Sequence, residues 1–289
     1  MAEPAARPIQ QAHRLKNIST ARAQKLFMEQ FRGRVEVVHG AWESAFIRRF
    51  VAAVRPHEAV GTRKIRLGGL VDGGYVMLDP GESGLAYSFG ISDSSPWDLA
   101  MAGRNFKVYQ YDGSIEQAPD AHPNLFFQRS FISGSALPPP DSLNLAQVIE
   151  RHGHQDEREL ILQMDIEGEE WKVLAGLERA ELLRFRQLIV EFHDLAFAEN
   201  RLAVLEKLLE THVPVHFHYN NCVQEAVYCP AGLFVYAHKA MEITYARRAD
   251  HEFVPSNACY PTALDCPNEK KYLDIPIGYF DVLLENFKP

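Results

Sequence analysis

The apolar positions of this chain change period part-way along, and the change divides it. Trp42, Phe46, Ile47, Phe50, Val51 and Val54 recur at helical spacing and fall on one face. Arg55-Pro56 ends that run, because a residue before proline is pushed out of the helical region. An earlier helix is expected from a cap at Ser19 or Thr20, carrying Leu26, Phe27 and Phe31, behind a polar, frayed stretch over residues 1–18. Residues 1–60 therefore read as a helical cover on a larger unit spanning 61–289. From residue 63 the spacing shortens. Residues 63–67 and 74–78 read as strands of a hairpin turning through Val71-Asp72-Gly73-Gly74.

Beyond the hairpin, strands and helices alternate. Strands are expected at 85–89, 107–111, 125–132, 160–164, 187–192, 213–219, 233–238 and 242–245. Helices are expected at 95–104 with Pro96 in the first turn, 143–151 capped by Asp141 or Ser142 after Pro138-Pro139-Pro140, 169–184 and 201–212. Repeated units of this length predict an α/β fold with a mostly parallel sheet covered on both faces. The last strands have no long helices between them, so an antiparallel edge is expected.

Composition narrows the function. The net charge is -8, and Lys and Arg are dispersed, which argues against a nucleic-acid partner. No apolar run approaches the roughly 20 residues of a transmembrane helix, and the first residues have no apolar signal core, so the expectation is a cytoplasmic protein with no membrane partner. Cys222, Cys229, Cys259 and Cys266 form two equally spaced pairs, but not at zinc-knuckle spacing; reduced thiols are the reading. Homodimerisation is possible on the sequence and has no motif behind it.

In a parallel sheet, ligands sit beyond the carboxyl ends of the strands, and polar chemistry concentrates at several of them. Ser88-Phe89-Gly90-Ile91-Ser92-Asp93 runs from a strand through a glycine turn into a helix, as a nucleotide-like ligand requires. Asp112-Gly113 ends the next strand about 20 residues on, where an acid can accept from both ribose hydroxyls. Asp165 ends a third strand and leads into Ile166-Glu167-Gly168-Glu169-Glu170; Glu169 and Glu170 read as charges favoured by a helix N-terminus. Glu191 and His193 share one face of a fourth strand by period 2, as a general base and its orienting partner would. His216, His218 and Asn220 alternate likewise, and Asp165, Glu191, His193 and His218 together are candidates for a divalent metal.

Leu160 to Trp171 resembles the "K-x-D-x-E-G-x-E" block of FkbM-like methyltransferases, and Glu191-Phe192-His193 resembles the segment that follows it there. Asp72-Gly73-Gly74-Tyr75 and Tyr111-Asp112-Gly113 fit the same family, over roughly residues 65–245. The resemblance implies a Rossmann-like class I methyltransferase sheet with S-adenosyl-L-methionine (SAM) as cofactor. It also implies methyl transfer to a hydroxyl oxygen of a small-molecule or glycan acceptor. Carried over, Gly90 and Ser92 line the methionine part of SAM, Asp112 and Gly113 the ribose, and Asp165 the sulfonium and acceptor. The family's first motif, D-x-G-x-x-x-G, lacks its leading acid here; Asp72, Gly73 and Tyr75 are expected to compensate. His193 is the expected base, oriented by Glu191, with Asp165 or His218 in reserve. The rival readings are a metal-dependent hydrolase using the same cluster, and a Rossmann-like domain that only binds a partner.

Overall fold

The structure, a computed structural model, describes residues 35–37, 40–70, 72–222, 226–229, 234–272 and 274–287. The helix expected from Ser19 or Thr20 and the stretch over 1–18 lie outside the described residues. In chain order the elements are β1 (Val35–Val37), α1 (Ala41–Val54), β2 (His57–Ala59), β3 (Lys64–Leu67), β4 (Tyr75–Leu78), β5 (Gly84–Phe89), α2 (Pro96–Ala102), β6 (Phe106–Tyr111), β7 (Leu125–Gln128), β8 (Phe131–Ile132), β9 (Ser142–Leu143) and α3 (Leu145–Arg151). There follow β10 (Leu160–Met164), α4 (Glu170–Gly176), α5 (Arg179–Leu182), β11 (Phe185–His193), α6 (Glu199–Leu208), β12 (His212–Tyr219), β13 (Ala226–Cys229), β14 (Phe234–Tyr236), β15 (Ala240–Arg247), β16 (Phe253–Pro255) and α7 (Phe280–Asn286).

The main sheet has seven strands in the order β12-β15-β11-β10-β5-β6-β7. Strands β11, β10, β5, β6 and β7 run parallel, and β15 is antiparallel to both β11 and β12. This is the Rossmann-like class I methyltransferase sheet. Its antiparallel member is inserted one place in from the edge rather than at the edge itself.

Each central strand is apolar on both faces, as a sheet covered on both sides demands. Leu160, Leu162 and Met164 of β10, with Leu188, Val190 and Phe192 of β11, pack into the larger core with α1, α3, α4 and α6. Ile161 and Ile189 face the smaller core, formed with the β3–β4 hairpin and α2. That second face changes character along the strands. It passes from Ala86 to Ser88 on β5, from Ile161 to Gln163 on β10, and from Ile189 to Glu191 on β11, and all three polar residues are buried. The polar ends all lie toward the strands' carboxyl termini, so period-2 patterning delivers the chemistry to one corner.

Several expected elements break where local hydrogen bonding wins. The strand expected over 125–132 divides at Arg129-Ser130, and β8 leaves the sheet to pair with β9. Ser142 is in that pairing, so α3 is capped instead by Asn144, in a reciprocal capping box with Gln147. The helix expected over 169–184 divides at Leu177, which is extended, and Glu178 and Glu181 cap a fresh turn. The strand expected over 233–238 is described as β14, with Leu233 outside the described residues. The two-stranded pairing of β2 with β16 escapes the pattern, because three residues carry no periodic signal.

A strap over residues 256–279, poor in regular structure, lies against β12. His216 meets Asp265 at 2.7 Å and His218 meets Asp274 at 3.0 Å. Burial resists the charge on Asp265, but His216 and His218 outweigh it and hold that carboxyl below the usual range. Among the described residues no helix is long and apolar enough to cross a membrane.

One strand start sets an acid limit on stability. His212 is fully buried, its Nε2 2.9 Å from the Phe185 carbonyl and its Nδ1 2.8 Å from the Thr211 hydroxyl. Burial pulls its pKa from 6.5 down to about 4, so the folded state keeps it neutral while the unfolded chain takes up a proton. The stability it contributes is therefore complete above pH 6.5 and is lost as pH falls from there toward 4, to a total of about 3 kcal/mol. Urea unfolding at pH 7 and pH 4.5 should show a smaller loss for His212→Gln than for the native chain; equal losses would remove His212 as the cause.

Candidate active site

Three loops close on one another at the carboxyl ends of β5, β10 and β11, and each contains a non-glycine residue in the left-handed region: Ser92 at φ 50°, Glu167 at φ 56° and Asp194 at φ 52°. Such backbone is held only where its surroundings insist on it, and it clusters at functional sites. Gly90, at φ 79°, is the point of closest approach. A Cβ there would lie 1.6 Å from the Asp165 carbonyl oxygen. The loops are stitched together by Gly90 N–H donating to Tyr111 and Asp165 N–H donating to Phe89.

Two cavities meet at Gly90, Ser92 and Asp165. One, of about 390 Å³, runs past Asp112, Gly113, Phe131, Ile132 and Ile166, so it pairs a carboxylate with apolar walls. The other, of about 270 Å³, lies under the hairpin turn between Asp72, Gly73, Tyr75 and the start of α2. Its floor is polar and buried. Ser88 donates to Gln163 at 2.8 Å, Gln163 donates to the Tyr75 hydroxyl at 3.3 Å, and Gln110 donates to Asp98 at 3.1 Å. Burial pushes the Asp98 carboxyl up to about 7, against the hydrogen bond from Gln110.

The sequence-derived candidates converge in part. Asp165, His193, Glu191, Asp72, Tyr75, Gly73, Gly90, Ser92, Asp112 and Gly113 all lie in or beside the two cavities. Asp112 is already committed within the protein. One carboxylate oxygen accepts from Ile91 and Ser92 N–H and the other from Ser114 N–H and hydroxyl. Burial alone would raise its pKa, but these four bonds outweigh it and lower the value. They also fill the carboxylate's acceptor capacity, so it can take a ribose hydroxyl only by exchanging one of them.

His193 is held by a residue other than Glu191. Glu170, on the first turn of α4 and with its side chain fully buried, accepts from His193 N–H at 2.6 Å and sits 3.1 Å from His193 Nδ1. Its second oxygen accepts from Gly168 N–H at 2.8 Å. The helix N-terminus favours the carboxylate, as the sequence suggests, but burial and the imidazole give it a specific task. Glu191 does not orient the ring. Its Oε1 is 3.9 Å from His193 Nε2 and is bonded instead by Asn220 at 2.8 Å, while its Oε2 is buried with no partner. Glu169 matches its reading as a helix-start charge, pairing with Lys172.

Nε2 of His193 lies 3.7 Å from Asp165, which borders both cavities, and 3.6 Å from Glu167, which borders the larger. Burial lowers its pKa, but the bond to Glu170 and the charges of Asp165 and Glu167 outweigh burial and raise it. The Asp165 carboxyl is pushed up to about 7, first by burial and further by Glu167 and Asp72, against the pull of His193. His218 leaves the expected metal set and the reserve-base role. It is buried between Glu242 at 3.2 Å and Asp274 at 3.0 Å, facing the strap rather than the crevice. The cysteines form no disulfide, and none of the potential metal-ligand groups among the described residues contains one. Asp98 and Gln163 went unread, and Glu170 was read only as a helix-start charge, because a buried acid or amide carries no pattern of its own.

Comparison with known proteins bears on this site. No curated protein matches the chain significantly. Solved structures with similarity include the fibrillarin/Nop5p complex, at 13% identity and TM-score 0.35, covering 59% of this chain and 74% of that one. Another is a putative methyltransferase from Thermoplasma acidophilum, at 11% identity and TM-score 0.26, covering 60% of this chain and 70% of that one. Both likenesses are too slight to carry a function across. The family model of the methyltransferase FkbM domain matches residues 82–228, which take in β5 through β13 and so the Gly90, Asp112, Asp165 and His193 strand ends. Spanning just over half of the 289 residues, that match shows that the chain belongs to the methyltransferase FkbM domain family.

Proposed function

We propose that the protein transfers a methyl group from SAM to a hydroxyl oxygen of a small-molecule or glycan acceptor. The observation that carries the reading is the meeting of two cavities at Gly90, with the His193 imidazole 3.7 Å from Asp165, which borders both. The residues present fit the cofactor. Ile132, Ile166 and Phe131 offer apolar walls to a base beside Asp112, and Asp165 Oδ1 is a buried carboxylate oxygen with no hydrogen bond, suited to a cationic centre. When bound, SAM supplies a methyl group already activated on a sulfonium.

The chain then has three tasks. The loops at Gly90 and Asp165 align donor and acceptor and exclude water, which is where most of the gain in such a displacement lies. A hydroxyl is a poor nucleophile while protonated, so a base must take its proton. Nε2 of His193 does so, since Glu170 holds Nδ1 from behind and fixes which nitrogen is turned toward Asp165 and Glu167. The raised proton affinity of this imidazole favours acceptance, and the imidazolium formed is stabilised by Asp165, Glu167 and Glu170.

Calorimetric titration with S-adenosylhomocysteine tests the reading, with Gly113→Val as the companion. Any side chain at Gly113 meets the Phe131 ring, from which a Cβ would be only 2.3 Å away, and so displaces a wall of the larger cavity. Binding in the native chain that is lost in the variant is expected; absence of binding in the native chain would promote the binding-domain alternative.

A further inference from the structure

A second acidic group lies behind the crevice, and the methyl-transfer reading does not use it. Glu191 on β11 and Glu242 on β15 are directly opposed cross-strand partners. Both are buried, at 3% and 6% exposure. Like charges directly opposed on neighbouring strands repel, and burial deepens the cost. Asp72 adds a third carboxylate from the hairpin turn. One oxygen of each of the three lies within 4.8 Å of the others.

Imidazoles balance the charges only in part, and His193 Nε2 lies 3.9 Å from Glu191 Oε1. His218 reaches Glu242 at 3.2 Å but is shared with Asp274. Glu191 receives only the Asn220 amide, and Asp72 only Asn268 at 2.8 Å and a long contact from Asn220. Two buried oxygens at this point have no partner at all: Glu191 Oε2, and Oδ1 of Asn268, itself 95% buried. Asn268 already touches both Asp72 and Glu242, the latter at 2.6 Å. The nitrogen and oxygen of an amide are distinguished only by their hydrogen bonds, and half a turn of this one brings its unpartnered oxygen onto the two carboxylates.

We propose that Asp72, Glu191, Glu242 and Asn268 form a site for a hard divalent cation of the magnesium, calcium or manganese class. The donor set is all oxygen, which selects hard cations over zinc or copper. The ion reaches it through exposed Asp72. It lies beside Asp165, Glu167 and His193 without drawing on them, since those three form a separate group. Once bound it ties three parts of the chain together: the hairpin turn through Asp72, the sheet through Glu191 and Glu242, and the strap through Asn268. The proposal goes beyond methyl transfer and stands whether or not the crevice binds SAM.

The test is thermal unfolding of chelator-stripped full-length protein, titrated separately with magnesium, calcium and manganese chloride. At a hundredfold excess over Kd, one of them should raise the midpoint by about 4 °C, a shift that grows with the logarithm of ion concentration. Asp72→Asn and Glu191→Gln should abolish that shift, while Glu167→Gln keeps it. Glu191→Gln should also raise the midpoint of the stripped protein, because it removes one of the two opposed buried charges. No upward shift with any of the three ions overturns the proposal. So does a shift retained in Asp72→Asn, or one lost in Glu167→Gln, which would move the ion to the other group.

Discussion

Gly90→Ala should abolish binding of S-adenosylhomocysteine and remove a large part of the protein's stability. The added methyl would stand 1.6 Å from the Asp165 carbonyl oxygen and 3.3 Å from the Ile166 side chain, and the first of these is backbone that cannot swing aside. Relief would require β5 and β10 to part at their ends, breaking the Asp165 N–H bond to Phe89. The residue would also be forced to φ 79°, at a cost of about 1–2 kcal/mol before any clash is counted. Overpacking of this kind adds roughly 1–3 kcal/mol, against a total stability of about 5–15 kcal/mol. Gly61→Ala and Gly153→Ala separate the two contributions. Both glycines have positive φ, at 80° and 70°, yet an added Cβ at either meets nothing within 4 Å. These variants should lose only the backbone share and bind normally. A Gly90→Ala protein with native affinity and an unfolding midpoint no lower than those controls would show that the loops can separate freely, and that Gly90 does not define the site.

The same contact shows why the sequence was readable at this corner. A glycine after an apolar strand, an acid ending the next strand and an acid ending a third are local signals, and the topology places the three side by side. Period 2 was enough to put Glu191 and His193 on one face, because β11 is regular to its last residue. What periodicity could not supply was the third dimension. Glu170 follows Glu169 in sequence and looks identical to it, yet one faces Lys172 at the surface and the other is sealed beneath His193. Their difference is set by α4 packing Trp171 against Phe192, a tertiary contact. His216 and His218 alternate as legibly as Glu191 and His193 do. Their partners Asp265 and Asp274 lie in a strap with no period, so nothing in the chain announced that they would turn away from the crevice. The opposed pair Glu191 and Glu242 was hidden for a like reason: β15 returns antiparallel, and its register against β11 is fixed by pairing rather than by composition.

The sharpest kinetic consequence falls on His193. His193→Ala should lower turnover by about 10²–10⁴-fold, the usual share of a positioned acid–base group, while affinity for S-adenosylhomocysteine stays within about threefold. The separation is expected because the ring touches neither Gly90 nor Asp112; its contacts are Glu170 behind and Asp165 and Glu167 in front. Glu170→Gln should also slow turnover, since it removes the charge that steadies the imidazolium and sets an amide N–H against Gly168 N–H, which now donates to the carboxylate. The two effects should not add. If Glu170 acts only by holding and charging the ring, then Glu170→Gln introduced into His193→Ala changes turnover no further. A full additional loss in the double variant would mean that Glu170 serves the reaction by another route, such as fixing the Gly168 loop. Unchanged turnover in His193→Ala would remove the imidazole from the chemistry. Asp165 would then be the remaining candidate base, because its carboxyl is already lifted to about 7 by burial and by Glu167 and Asp72.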